Sequence, residues 1–591
     1  MTVHITKQHL RRQILKGRAQ VDSISKKAGR NIDRNLVNRL ERLLQIKLFL
    51  ISWIMLIVLL SGAVLSQTYG LGNYYLKFSS VPGGIYSEGI LGDFTTANPI
   101  YAANPVDDTL AKLVFGSLFT YNANNQLVGD LASNWTVDST GRVYTVTLKP
   151  HLTWQDGKPL TASDVVFTYK TIQNPDAQSD LNSSWQDVSV SEVNPLTVKF
   201  TLGNPLSSFP YSLTTGIIPQ HILGNVPPSE LRSNSFNTDT IGSGPFIWKS
   251  LEVAGDTPLT REEQIVLTPN PRYVGGEPKI SEFIIRAFHN KTNLINVFKS
   301  GNLSAVSGLN SIPSGMDSSA LYSYSMPLTA AEMVFFKTSA GVLADQYVRQ
   351  ALVQGADVNK IINGLGYPVI PVREPLLFGQ LGYNPAYVQL GYNKAAAARE
   401  LTQDGWIMGK NGIRYKNGLP LSFGLYAPDT KDSRYITTQL SNEWKSLGVN
   451  TQVLLQSALD LQDTVSLHNY DALLYGISIG VDPDVFVYWD STQANPSSPT
   501  RLNFSEFKSA TADEALEGAR TRSNPALRAV KYQPFLKVWQ QQAPALGLYQ
   551  PRFLYISRDK IYGLNEHKIN TLTDIYNNVQ NWEIDTAWVK G

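Results

Sequence analysis

The sequence predicts an α/β fold of more than one domain behind a single transmembrane helix, and three observations predict it. Strand-like alternation and helix-like periodicity intermingle along the chain instead of occupying separate blocks. At 591 residues, 42% hydrophobic and 17% charged, the chain holds enough material for large cores. No charged residue occurs from Leu48 to Leu76, a length that crosses a bilayer core of about 30 Å as a helix.

The elements follow in chain order. Residues 1–47 carry twelve Lys or Arg against Asp22, Asp33 and Glu41, a charge of +9; the rest stands at −6 although the total is +3. By the positive-inside rule this basic segment is a cytoplasmic tail, residues 48–68 are the membrane anchor and the remainder lies outside. Within the tail, Leu36, Val37, Leu40, Leu43 and Leu44 recur at helical spacing among Arg34, Arg39 and Arg42, which predicts a basic helix on the inner membrane face. Leu60-Ser61-Gly62-Ala63 resembles a lipoprotein box with alanine in place of the lipidated thiol, and no small-x-small cleavage site follows, so the anchor is expected to stay uncleaved. Residues 69–80 read as a linker.

The globular part starts near residue 81. Arg142–Lys149 and Leu196–Leu202 alternate like half-buried strands. Thr161 with Asp164 makes a capping box, Asp345 opens a helix through Val348, Ala351 and Leu352, and Asn393 caps Lys394–Gln403. Asn524-Pro525 starts another helix, which Pro534 is expected to kink or split. Asp156-Gly157 predicts a tight turn ahead of the Thr161 cap. Gly242 and Gly244 are expected to adopt backbone conformations closed to other residues.

Little in the sequence points to bond chemistry. With no cysteine there is no disulfide, thiolate ligand or thiol nucleophile. The seven histidines, His4, His9, His151, His221, His289, His468 and His567, show no metal-ligand pair spacing, so no metal or cofactor is expected. Gly476-Ile477-Ser478-Ile479-Gly480 matches G-x-S-x-G, with Asp490 and His567 as conceivable triad partners. Asp482-Pro483-Asp484 follows, however, where a nucleophile elbow needs a helix. Nucleic-acid binding is disfavoured because the basic residues concentrate in the tail and the outer part is acidic.

Several longer stretches occur in a telling order. Leu127 to Trp135, Gly141 to Leu148 and Thr153 to Val165 come first, then Gly242-Ser-Gly-Pro-Phe246, Val348-Arg-Gln-Ala-Leu352 with Asp357, and Tyr392 to Ala396 with Gly405-Trp406. Asp482-Pro-Asp-Val-Phe486 and Ala543 to Tyr549 complete the series. In this order they resemble the peptide- and nickel-binding class of ABC-transporter substrate-binding proteins over about residues 81–580.

The resemblance implies a two-lobed, periplasmic-binding-protein-like clamp of type II with an extra subdomain. Lobe I would combine 81–112, 242–328 and 545–591; the inserted subdomain would be 113–241; lobe II would be 329–544, with chain crossings near Pro327 and Pro544. It implies capture of peptides or a similar small solute, without catalysis, for an ABC permease and its ATPase. The alternatives are a membrane-tethered sensor on the same fold and a serine hydrolase using Ser478. The implied ligand-binding residues are Thr96, Ala97 and Asn98 in an early loop, Tyr475, Gly476, Ile477, Ser478 and Ile479 on a strand, and Asp482 and Trp489 beyond it.

One departure from the family bears on selectivity. Peptide-binding members carry an aspartate for the peptide's α-ammonium three residues before the first Asp of D-P-D, where this chain has Ile479. An unpaired buried ammonium costs roughly 3–5 kcal/mol, or two to three and a half orders of magnitude in affinity. The chain is therefore expected not to select a free peptide N-terminus there, unless Asp482 or Asp484 takes the role. A blocked or internal peptide segment, a sugar-like solute or a peptide anchored elsewhere would then be the ligand.

Overall fold

A computed structural model describes residues 47–255, 257, 261–495, 497 and 501–590. It comprises two compact units, one of Ser80–Asp585 and one of the segments on either side of it. The expected basic helix over Leu36–Leu44 lies outside the described residues.

The smaller unit contains the helix Lys47–Tyr75, whose stretch Phe49–Gly70 is long and apolar enough to cross a membrane and buries none of its residues. The expected linker over 69–80 is not a loop. The helix continues to Tyr75 because Tyr69–Tyr75 has no proline, and Gly70 and Gly72 weaken a helix by only about 1 kcal/mol each. Leu76–Val81 then forms a strand that pairs with Asp585–Lys590, the Phe78 and Trp588 rings meeting edge to face at 5.4 Å.

Two mixed sheets organise the larger unit. The first has seven strands in the order Tyr322–Pro327, Arg552–Ser557, Ala305–Ser307, Ile85–Leu91, Glu282–Phe288, Glu262–Pro269 and Phe246–Ala254. Ile85–Leu91 runs parallel to both of its neighbours. At its centre Glu88 is fully buried and accepts 2.7 Å bonds from the Tyr555 and Tyr576 hydroxyls; burial pushes its carboxyl up to about 7, against the lowering effect of those bonds. The second sheet has six strands in the order Ile370–Pro371, Ala545–Gln550, Ala330–Phe336, Ala472–Ser478, Ser422–Pro428 and Asn450–Gln456. Apolar clusters cover both faces of this sheet, one built on Val334, Phe336 and Trp444, the other on Phe335, Trp489 and Trp539. A third, four-stranded antiparallel sheet of Ala132–Val137, Val143–Leu148, Thr197–Leu202 and Val188–Asn194 lies within residues 113–241.

The chain passes between the two large sheets twice. The first passage is at Leu328-Thr329. The second is at Pro551, not near Pro544, because Ala545–Gln550 pairs with Ala330–Phe336 and so belongs to the six-stranded sheet. The expected first-lobe segment 545–591 is therefore divided. All six residues of Ala545–Gln550 are buried, which an interior position explains and sequence alternation alone does not show.

Local signals behaved as their chemistry requires. Thr161 and Asp164 form the capping box of Ala162–Gln173; Asp345 caps Gln346–Gln354; Asn393 caps Lys394–Gln403. Pro534 does not split its helix, which runs unbroken from Pro525 to Gln542. The carbonyl that Pro534 leaves without an amide belongs to Val530, a residue 66% exposed, so solvent can satisfy it. Gly242 and Gly244 are not in the left-handed region. Their requirement is close approach: a Cβ at 242 would stand 1.9 Å from the Val114 carbonyl oxygen, and Gly244 N–H donates to that same oxygen.

Candidate functional site

The strand Ala472–Ser478 supplies one wall of the candidate site. It pairs antiparallel with Ala330–Phe336, in register from Ala330 opposite Ser478 to Phe336 opposite Ala472. Ile479 N–H donates to Thr329 O at 2.9 Å, so the odd-numbered backbone groups turn toward that neighbour. Those of Gly476 and Ser478 turn to the other edge. There Ser422–Pro428 pairs only with Ala472 and Leu473, and among the described residues no strand covers the edge at Gly476. The Ser478 carbonyl accepts the Tyr488 hydroxyl at 2.7 Å, and the Gly480 carbonyl accepts Gln380 Nε2 at 2.7 Å.

Side chains on this strand divide by face. Ile477 and Ile479 are buried in the cluster around Trp489, while Gly476 and Ser478 are exposed. Tyr475 is half-buried with its ring edge-on to Phe504 at 5.4 Å. Trp489 is wholly buried between Phe335 at 5.8 Å and Trp539 at 5.9 Å. It is a core residue, not a ligand-facing one, because the short helix Phe486–Trp489 turns it inward onto the helix Pro525–Gln542.

Asp482 is likewise committed to the protein. Its two oxygens each accept a 2.6 Å bond from Arg528, and both side chains are only 6% exposed. Asp484 pairs with Arg520 at 3.1 Å and accepts the Ser208 hydroxyl at 3.0 Å. The Arg520 carbonyl accepts Ser207 N–H at 2.8 Å, so the Asp-Pro-Asp stretch and Arg520 tie the six-stranded half to residues 207–208 of the inserted segment. Neither aspartate is left free for a ligand ammonium.

The early loop is held by its own hydrogen bonds, and its first three residues do not line the neighbouring cavity. Thr96 N–H donates to Asp107 Oδ1, Ala97 N–H to Asn237 O, and Asn98 Nδ2 to Asn237 Oδ1; all three residues are buried. Next to them, Pro99 and Ala102 line a cavity of about 610 Å³ with Asp108, Lys112, Tyr121 and Tyr211. Burial, aided by Asp107, pushes the Asp108 carboxyl up to about 6. The phenols of Tyr121 and Tyr211 are raised by burial and also by Asp482, and Tyr211 lies three residues beyond Ser208, whose hydroxyl donates to Asp484. Asn570, another lining residue, accepts the Thr329 hydroxyl at 2.7 Å and links the cavity to the passage beside Ile479. Arg520, Arg528 and Tyr211 escaped the sequence-based site because their partners lie far along the chain.

The serine-hydrolase geometry is not assembled. Asp490 Oδ1 accepts Thr492 N–H, His567 Nδ1 meets Asn565 O, and neither bonds to Ser478. Among the described residues no group of three His, Cys, Asp or Glu is placed to hold a metal.

Two large mixed sheets joined by two chain passages, with a cavity of about 610 Å³ lined from residues 99–216 and 570–574, describe a binding fold, and comparison gives it a family. The model of bacterial extracellular solute-binding proteins, family 5, matches residues 126–498. The chain belongs to this family. Among curated family relatives, the oligopeptide-binding protein AppA of Bacillus subtilis is 25% identical over 522 residues, 85% of this chain and 91% of AppA. The probable D,D-dipeptide-binding protein DdpA of Escherichia coli is 22% identical over 504 residues, 83% of this chain and 93% of DdpA. Among solved structures, NikZ of Campylobacter jejuni with Ni(L-His) superposes with a TM-score of 0.68 at 23% identity, covering 84% of this chain and 99% of NikZ. The family 5 fold is therefore shown: a type II binding-protein clamp of mixed α/β content.

Proposed function

We propose that this chain captures peptides or a similar small solute outside the cytoplasm and delivers them to an ABC permease and its ATPase. The observation that carries the reading is the open backbone edge at Gly476; the cavity of about 610 Å³ is linked through Asn570 and Thr329 to Ile479 at the end of the same strand. An extended peptide can add itself to such an edge through main-chain bonds while the cavity receives side chains. AppA, whose solved structure holds a nonapeptide, supports the peptide class. Lobe I would comprise the seven-stranded sheet, lobe II the six-stranded sheet, and residues 113–241 the inserted subdomain. Leu328-Thr329 and Pro551 would serve as the hinge, and ligand would favour closure because only the closed state touches both lobes.

The test is native mass spectrometry of the purified full-length chain to identify any bound solute, followed by its removal and return. Return is expected to reduce the radius of gyration in solution scattering and to raise the melting temperature by mass action. Unchanged scattering at saturation would count against a clamp.

Tethering through residues 48–68 belongs to the same reading, supported by the apolar helix and the +9 charge before it. Protease added to intact cells should remove the binding unit and spare residues 1–47. A mature N-terminus mapped between Val64 and Ser80 would show a cleaved signal sequence instead.

A further inference from the structure

Glu332 is an acidic side chain opposite the strand Ala472–Ser478 that no part of the reading above uses. It stands in the middle of Ala330–Phe336, opposite Gly476 on one side and Tyr549 on the other. Residues 332 and 476 form a non-hydrogen-bonded pair, the closer of the two antiparallel spacings, so their side-chain positions share one face. Gly476 has no side chain to occupy its half, and the Glu332 carboxyl extends over it. A Cβ at 476 would lie 3.0 Å from Glu332 Oε2. That oxygen is buried without a hydrogen-bond partner, although the residue as a whole keeps some exposure at the open end of the sheet.

Among the described residues no cation pairs with it. Asp432, whose Oδ2 accepts the Tyr367 hydroxyl at 2.6 Å, adds negative charge. Arg552 stacks over the Tyr367 ring at 4.1 Å and donates to Ser325 Oγ at 3.1 Å, with Tyr367, Asp432 and Glu566 as its electrostatic neighbours. Burial first, and Asp432 second, push the Glu332 carboxyl up to about 7. A carboxylate left in this condition costs stability unless something supplies a counter-charge. Meanwhile position 479 holds isoleucine, and Asp482 and Asp484 are both paired with arginines.

We propose that Glu332 is the cation subsite of this binding protein, receiving a protonated primary amine of the bound peptide beside Gly476. This rests on the solute-binding reading and selects, among the ligand classes left by Ile479, a peptide anchored elsewhere by its charge. The amine can be the peptide's own terminus or a lysine-type side chain; both present the same ammonium to the same carboxylate.

Calorimetry at pH 8 on the full-length chain in detergent micelles tests it with four probes: penta-alanine, N-acetyl-penta-alanine, and the acetylated peptide with a central lysine or norleucine. At least one ammonium-bearing probe is expected to bind about tenfold or more tighter than its neutral match. Glu332→Gln should abolish that preference. Gly476→Ala, which crowds the carboxyl without removing it, should weaken the preference as well. A preference for the terminal amine alone, or for lysine alone, supports the inference and names the source. Equal binding of charged and neutral probes overturns it while leaving solute binding intact, and a preference that survives in Glu332→Gln overturns it too. Binding of none of the four overturns it, and the scattering response to the co-purified solute then decides separately whether solute binding stands.

Discussion

Arg528→Met is expected to cost the folded chain about 3–5 kcal/mol, measured as a lower urea midpoint at unchanged slope. The guanidinium makes two 2.6 Å bonds to Asp482 and a third, from Nε, to the Ala519 carbonyl at 3.0 Å. Removing it strands a carboxylate that is only 6% exposed, and that stranding dominates the cost. A second change in the same chain, Asp482→Asn, removes the stranded charge and should recover a large part of the loss. A loss below about 1 kcal/mol for Arg528→Met would mean the pair behaves like a surface ion pair.

Trp489→Ala should destabilise by a comparable amount, about 3–5 kcal/mol, because it empties a large fully buried site among Phe335, Phe507, Phe535 and Trp539. Trp489→Phe should cost clearly less, since the ring contacts largely persist and Nε1 has no hydrogen bond to lose. Neither change should alter ligand affinity per folded molecule. A drop in affinity at unchanged stability would return Trp489 to the ligand site.

These two residues also mark where reading the sequence stopped. The family followed from ordered motifs, the membrane-type helix from the uncharged run Leu48–Leu76, and individual helices from caps such as Thr161, Asp345 and Asn393, whose chemistry is local. The strand of the site was legible too, because Ala472–Ser478 is a nearly continuous apolar run ending in Gly480. Side-chain direction was not. Trp489 and Tyr475 are aromatic residues of the same neighbourhood, and only tertiary packing makes one core and the other half-exposed. Asp482 offers a carboxylate in any reading of the sequence, whereas its partner stands 46 residues away on another helix. Glu332 was missed for the same reason: its significance depends on the glycine across the ladder at 476. The placement of Ala545–Gln550 depends likewise on which neighbours the strand finds.

The strands Ala545–Gln550 and Arg552–Ser557 have a consequence for the order of assembly. The first lies between Ile370–Pro371 and Ala330–Phe336, the second between Ala305–Ser307 and Tyr322–Pro327. Both are inserted, and neither large sheet is continuous without its own. A ribosome that has released only the first 540 residues from its tunnel has thus produced two sheets with a slot in each, and their exposed edges cannot close locally. Maturation of both halves waits on one short ribbon of thirteen residues, 545–557, which zips into them together. Until that ribbon pairs, the strand edges on either side of each slot stay open to other partners, chaperones among them.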